Sequence, residues 1–290
     1  MENLLVNKVA AVKEVRQAAE YQKKKQACIL TGLAGSSKPV FFAAADKLLG
    51  GKGSMAFITA SREEIRTYRR ELNYLYPDLP MQELYPVSLP RVQADTQSLE
   101  LQAGRAAALR FLSGDERGIV FITAEALQQK QLRPSGMSGK ALQLAVGEEH
   151  EQRNIAAALL DLGYERTEQV DALGQFCLRG DILDVYPINS STAVRIEWFD
   201  NELDAMRSFD VDTQRSLQTL TSIKIAPLKV DESFSYDADI FEYCAADTMV
   251  VVDEPVHVFS MLEKLDKENK EHASELFGKQ ELIEQLAANG

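Results

Sequence analysis

The hydrophobic positions of the chain follow a helical period in some stretches and a strand period in others. Val9, Val12, Val15, Ala18 and Ala19 recur at helical spacing up to Tyr21, and Lys23, Lys24 and Lys25 suit the negative end of that helix's dipole. Cys28 to Thr31 reads as a short buried strand, followed by a glycine turn from Gly32 and a helical run through Leu49. Met55 to Thr59 gives a second strand. Ser61 with Glu64 three residues on is a capping box that opens a helix to Tyr76. Leu84 to Pro86 fits a short strand, and a helix from about Gln93 carries Leu99, Ala103, Ala106, Ala107 and Leu109 on one side. Gly118 to Thr123 is again a continuous apolar run. Strands alternating with helices predict a parallel sheet covered on both faces.

After Leu127 the pattern changes. Pro134, Gly136 and Gly139 interrupt a polar segment, Leu142 to Val146 reads as a strand, Asn154 to Leu162 as a helix, and Gly163 to Arg166 as a turn. Alternation then runs through Phe176–Arg179, Ile182–Tyr186 and Val194–Phe199, with Gly180 as a bend and Asn189, Ser190 and Ser191 as a turn. A further run from Leu203 to Phe209 completes an antiparallel meander. Ile223 to Ile225 is expected to return the chain to the first domain, and the acidic stretch Asp231–Asp239 to be a linker. Met249 to Val252 is an apolar strand ending in Asp253 and Glu254, and residues 256–288 make one or two amphipathic helices. The expected division is 1–127, 128–214 and 215–290, the last returning to the first domain.

Composition narrows the function. The 290 residues suffice for two domains, and the net charge of -12 opposes a general duplex-binding module, because phosphates would meet net repulsion. Cys28, Cys177 and Cys244 fit no zinc spacing and read as reduced thiols of a cytoplasmic protein. No apolar run reaches the roughly 20 residues a membrane helix needs, so no membrane contact is expected. His150, His257 and His272 have no partner at ligand spacing, no metal is expected, and no motif for hydrolytic chemistry is present.

One candidate for nucleotide chemistry remains. A phosphate loop GxxxxGK[ST] needs a glycine before its lysine and a hydroxyl after it. Gly32, Gly35 and Lys38 fit such a loop, but Ser37 stands in place of the glycine and Pro39 in place of the hydroxyl, and proline removes a backbone donor. The expectation is a degenerate, inactive loop. Asp253 and Glu254 stand where a Walker B strand carries its acids, but with the loop impaired the favoured reading is a buried strand that ends in polar residues.

The most specific pattern is the stretch Gly174–Ser216. Its alternation places Arg179 and Arg195 on the polar side of their strands. The strings RGDILDVYP and VRIEWFDNELDAMRSFDVDTQRS resemble the damage-recognition protein UvrB and the amino-terminal part of bacterial transcription-repair coupling factor. Weaker similarity lies in TGLAGSSK, LYP and VVVDE. The resemblance implies a parallel-sheet, P-loop-like α/β domain (degenerate helicase or RecA-like, 1a and 1b) with an inserted α+β domain (2). It also implies that the inserted domain docks UvrA through Arg166 and Arg179, with Phe176 and Tyr186 as aromatic neighbours.

The degenerate loop and the absence of motor domains make the coupling-factor module the nearer match. The expected role is therefore non-catalytic: recruitment of UvrA to stalled transcription, with the same face restraining the translocase domains of a longer parent. That parent would bind ATP and magnesium in its motor and RNA polymerase and DNA through other domains; no cofactor is expected in this chain. The alternative is an ATP-dependent UvrB-like damage-recognition helicase. Between Val230 and Phe234 the chain is several dozen residues shorter than the coupling factors it resembles.

Overall fold

The computed structural model describes residues 4–89, 99–114, 116–133, 141–228 and 236–289. In chain order the elements are α1 (Leu4–Ala10), α2 (Lys13–Lys23), α3 (Ser37–Leu48), β1 (Met55–Thr59), α4 (Arg62–Leu75), β2 (Met81–Leu84), α5 (Leu99–Ser113) and β3 (Ile119–Thr123). Next come α6 (Ala124–Gln128), β4 (Gln131–Leu132), β5 (Leu142–Ala145), α7 (Gln152–Asp161), β6 (Glu165–Arg166), β7 (Gln175–Arg179) and β8 (Ile182–Val185). The remainder are β9 (Ala193–Phe199), β10 (Glu202–Phe209), β11 (Ser216–Leu220), β12 (Ser222–Ile225), β13 (Tyr236–Ala238), β14 (Met249–Val252), α8 (Pro255–Glu268) and α9 (Lys279–Asn289). Two compact units result, one of residues 1–92, 108–131 and 238–290, the other of 93–107 and 132–237.

The first unit is built on a four-stranded sheet in the order β14-β1-β3-β2, with every pairing parallel. MAFIT in β1 and IVFIT in β3 are buried at all five positions, the continuous apolar run that a sheet covered on both faces demands. Successive side chains serve opposite cores. Met55 and Phe57 pack with Phe41 and Phe42 of α3 and Ile65, Tyr68 and Leu72 of α4. Ala56 and Ile58 pack with Phe111 and Leu112 of α5, Leu127 of α6, Val258 and Leu262 of α8 and Leu282 of α9. Close packing fixes Gly118: a β-carbon there would lie 2.3 Å from the Phe111 ring. The capping box at Ser61 and Glu64 is formed, as its spacing predicts.

The second unit carries a six-stranded sheet in the order β11-β10-β9-β8-β7-β6, antiparallel throughout except for β6 against β7. One face packs on α7, where Ile155, Ala156 and Leu159 meet Phe176, Leu183, Val185, Val194, Ile196 and Met206. A two-stranded sheet of β5 and β12 adds Leu144 and Ile225 to this core. Among the described residues the opposite face carries a small cluster of Val170, Cys177, Ala193 and Phe209, to which no helix contributes. An antiparallel sheet tolerates this, because alternate positions can face water.

The mixed class expected from the pattern is what the chain adopts, a parallel α/β unit and a separate antiparallel unit; several elements differ. Cys28 to Thr31 is not a strand: Ile29 is 91% exposed, and the run is confined between the left-handed residues Lys25 (φ 52) and Gly32 (φ 81). Leu30 and Leu33 pack partly against the α3 side instead. The first helix breaks at Ala11 and Val12, and the short strand near Leu84 lies earlier, at Met81–Leu84. The sheet gains an additional strand, β11. Ile223 to Ile225 does not leave for the first unit, because β12 pairs with β5. By compactness the chain passes between the units after residues 131 and 237, and residues 93–107 also belong to the second. The expected linker falls largely on residues outside those described; its end, from Tyr236, forms β13.

Phe57 lies fully buried at the centre of the parallel sheet, with ring neighbours Phe42, Tyr68 and Phe121 at 5.3–6.0 Å. Phe57→Ala should therefore cost about 3–5 kcal/mol in urea unfolding. A loss below about 1 kcal/mol would contradict this packing.

Candidate functional site

The loop before α3 and the end of β14 meet in the first unit, as in a nucleotide site. Lys38 Nζ donates to Asp253 Oδ1 at 2.6 Å and to Glu254 Oε1 at 2.7 Å. Parallel pairing of β14 with β1 brings the two carboxylates to the C-terminal end of the sheet, level with the first turn of α3. Asp253 is 11% exposed in its side chain and Lys38 18%, so the ammonium is enclosed by protein acids where a phosphate would need it. Glu254 adopts a left-handed backbone (φ 44, ψ 67), and the bond to Lys38 is a contact that holds it there.

The loop is also closed on itself. The Ser37 hydroxyl accepts from the Ala34 N–H at 2.8 Å and donates to the Ala34 carbonyl at 2.7 Å, while the Lys38 N–H donates to Gly35. Three groups of a would-be phosphate cradle are thereby satisfied internally. Pro39 is buried in the first helical turn and offers no N–H. Next to them, the Ser36 hydroxyl donates to Glu71 at 2.8 Å, which places another carboxylate beside the loop. The buried Tyr68 hydroxyl lies beside Asp253, and burial together with the charge of that acid holds its phenol firmly protonated.

In the second unit a buried acid organises the helix-free sheet face. Asp184, 2% exposed, accepts from Arg195 at 2.6 and 2.8 Å through both carboxylate oxygens and from Arg179 at 3.1 Å. Arg195 is 18% exposed, also bonds Gln214, and lies 4.7 Å over the Phe209 ring. The Asp184 bonds raise its already high pKa. Arg195 is thus a structural cation. Arg179 has a 54% exposed side chain, and one bond to Asp184 leaves the rest of its donor fork free to face outward.

Of the expected partner-facing residues, Arg166 is exposed on the edge strand β6 and makes no ion pair among the described residues. Its register opposite Phe176 gives it the Phe176 face, whereas Arg179 follows Cys177 on the other. The two arginines therefore emerge around one sheet edge rather than side by side. Phe176 corrects the expectation: it is 0% exposed in the α7-side core and has no surface to offer a partner. Tyr186 is half-buried, its hydroxyl donates to the Ser191 carbonyl at 3.2 Å, and burial with Asp210 and Asp212 nearby raises its pKa. The aromatic that does stand out is Phe199, 72% exposed at the end of β9. It shares a face with Arg195, and Arg207 and Thr219 carry that face across β10 and β11. Alternation from Arg195 through Glu197 would have found Phe199 in the sequence.

Among the described residues no three His, Cys, Asp or Glu side chains could hold a metal ion, and no helix is long and apolar enough to cross a membrane. The UvrB interaction domain family matches residues 142–230, which include Arg166, Arg179 and Asp184. Transcription-repair-coupling factor of Bacillus subtilis (strain 168) is 36% identical over 203 residues, 69% of this chain and 17% of that protein. The proteins of the same name from Staphylococcus haemolyticus (strain JCSC1435) and Escherichia coli (strain K12) are 32% and 28% identical, over 69% and 57% of this chain. The chain matches only 17% and 14% of the length of these two.

The Lys38 lock has a defined pH window. Burial lowers the lysine pKa, but the bonds and charges of Asp253 and Glu254 outweigh it, so the group titrates above its ordinary value. Its contribution is complete below that ordinary value and is lost as pH rises through the raised one. Glu254, lowered chiefly by its bond from Lys38, contributes above the ordinary carboxylate value and fails as pH falls through its lowered one. Lys38→Met should cost on the order of 1–2 kcal/mol at neutral pH by stranding Asp253. The difference from wild type in urea titrations should shrink on acidification; a constant difference across the carboxylate range would rule out the lock.

Proposed function

Since the chain is a UvrB-like module of the kind that begins the transcription-repair-coupling factors, we propose that it is a non-catalytic recruitment module whose antiparallel unit binds UvrA. In a longer parent this would link stalled transcription to excision repair, with ATP and magnesium acting in translocase domains elsewhere and RNA polymerase and DNA bound outside this segment. The observation that carries the reading is Arg179, indexed by buried Asp184 yet half-exposed, within the segment that matches the UvrB interaction domain.

Pre-positioning matters because an arginine already held by one bond loses less side-chain freedom when it forks onto a partner carboxylate. Arg166 supplies a second cation with no internal partner to give up. Phe199 and Arg207, on the Arg179 face, extend the contact area that Phe176 cannot provide. On the nucleotide side, the enclosed Lys38, self-bonded Ser37 and buried Pro39 support a module without ATP chemistry. They disfavour the alternative, a UvrB-like helicase.

Each charge-assisted bond to a partner contributes roughly 1.5–3 kcal/mol, so Arg166→Ala with Arg179→Ala should weaken UvrA binding by about a hundredfold or more. Calorimetry with purified UvrA measures it, with circular dichroism confirming the fold. Unchanged affinity in the folded double variant would overturn the site. Magnesium-dependent ATP hydrolysis by the chain alone would overturn the non-catalytic reading and leave the docking site standing.

A further inference from the structure

The first unit carries a cationic face that neither the nucleotide-loop remnant nor the UvrA-facing sheet uses. It lies on α4, whose buried side, Ile65, Tyr68 and Leu72, anchors the helix to the parallel sheet. The opposite side reads Arg62, Arg66, Arg70 and Tyr74, at four-residue steps. Each step advances about 6 Å along the axis and turns about 40°, so the four form one ridge roughly 18 Å long. Arg66 and Arg70 are exposed and make no ion pair among the described residues, and Tyr74 is 81% exposed. Arg62 is held by Glu83 at 2.6 Å and lies 4.9 Å over the Tyr85 ring, with its side chain still 60% exposed.

The helix's own carboxylates do not cancel this charge. Glu64 is committed to the capping box and Glu71 accepts from Ser36, on the side away from the ridge. Only Glu63 shares the exposed side. Two unpaired arginines and an exposed tyrosine on a capped, core-anchored helix are therefore pre-organised, in a chain of net charge -12.

We propose that this ridge docks an acidic helix of a partner protein, one with Asp or Glu at four-residue spacing. Charge complementarity selects it. Such a helix repeats its carboxylates at the same interval of about 6 Å as the arginines, so successive pairs form in register. Nucleic acid shares the negative charge but fits less well: so few cations neutralise few phosphates, and the acidic chain repels a polyanion at long range. Arginine beside tyrosine is, in turn, the composition of protein interface centres.

The test is fluorescence anisotropy at low ionic strength with a labelled alanine-rich helical peptide carrying glutamate at every fourth position. The whole chain is the receptor. Saturable, salt-sensitive binding is expected, weakened about tenfold by Arg66→Glu with Arg70→Glu and reduced by Tyr74→Ala. The equal charge change Lys8→Glu with Lys52→Glu should leave it nearly intact. If the reversed pair disturbs folding, Arg66→Gln with Arg70→Gln gives the same reading. Absence of saturable binding, equal loss in the Lys8 and Lys52 control, or tighter ridge-dependent binding to oligothymidylate or duplex DNA than to the peptide would each overturn the proposal.

Discussion

A single buried carboxylate decides what the antiparallel sheet can offer a partner. Asp184 is nearly inaccessible, and leaving it ionised without partners would cost several kcal/mol, so the strands on both sides are obliged to supply cations. Arg195 of β9 supplies the full fork and is buried in doing so; Arg179 of β7 supplies one bond and stays half in water. The same acid therefore makes one arginine architectural and the other an oriented, accessible charge. The most recognisable string in the sequence, from Arg179 to Pro187, owes part of its pattern to this cross-strand arrangement.

The parallel unit follows the opposite logic, with a set of charges turned inward. Lysine at the start of α3 and two acids at the end of β14 are the parts of a phosphate site, and the sheet topology still brings them together. With no glycine before the lysine and no hydroxyl after it, the cheapest way to satisfy the ammonium is the pair of carboxylates already opposite. Ser37, which should have been glycine, satisfies the backbone of the loop with its own hydroxyl. The result is an ionic strut between α3 and the end of β14.

How far the sequence could be read depended on how local the governing physics is. MAFIT and IVFIT announce buried parallel strands because each sets four consecutive apolar residues, rich in β-branched and aromatic side chains, between turn signals, and the Ser61–Glu64 box declares a helix start within four residues. That Ser37 and Pro39 depart from the phosphate-loop pattern was legible too, but the pairing of Lys38 with Asp253 and Glu254 was not, since those bonds span more than two hundred positions of sequence. Cys28 to Thr31 misled because a short, mostly apolar run resembles a strand until the turns that bound it are known. Phe176 misled differently. Alternation shows that neighbours oppose each other but not which face is the core, and α7 settles that from more than a dozen residues away.

An acidic background is what makes a few arginines informative. In a chain with 44 acids against 32 bases, several exposed cations are spent on a carboxylate nearby, as Lys264 is on Glu268 and Lys267 on Glu263. Such surface pairs contribute little to stability. Arg166, Arg66 and Arg70 escape this fate, and Arg179 escapes it in part, each because its element is rigidly set by a core on the other side. An unpaired guanidinium on a fixed strand or helix has no internal ion pair to give up when a partner carboxylate arrives, and the backbone that carries it is already ordered. Net negative charge then works as a filter: it discourages indiscriminate binding to polyanions at long range and leaves recognition to the short-range geometry of those few forks.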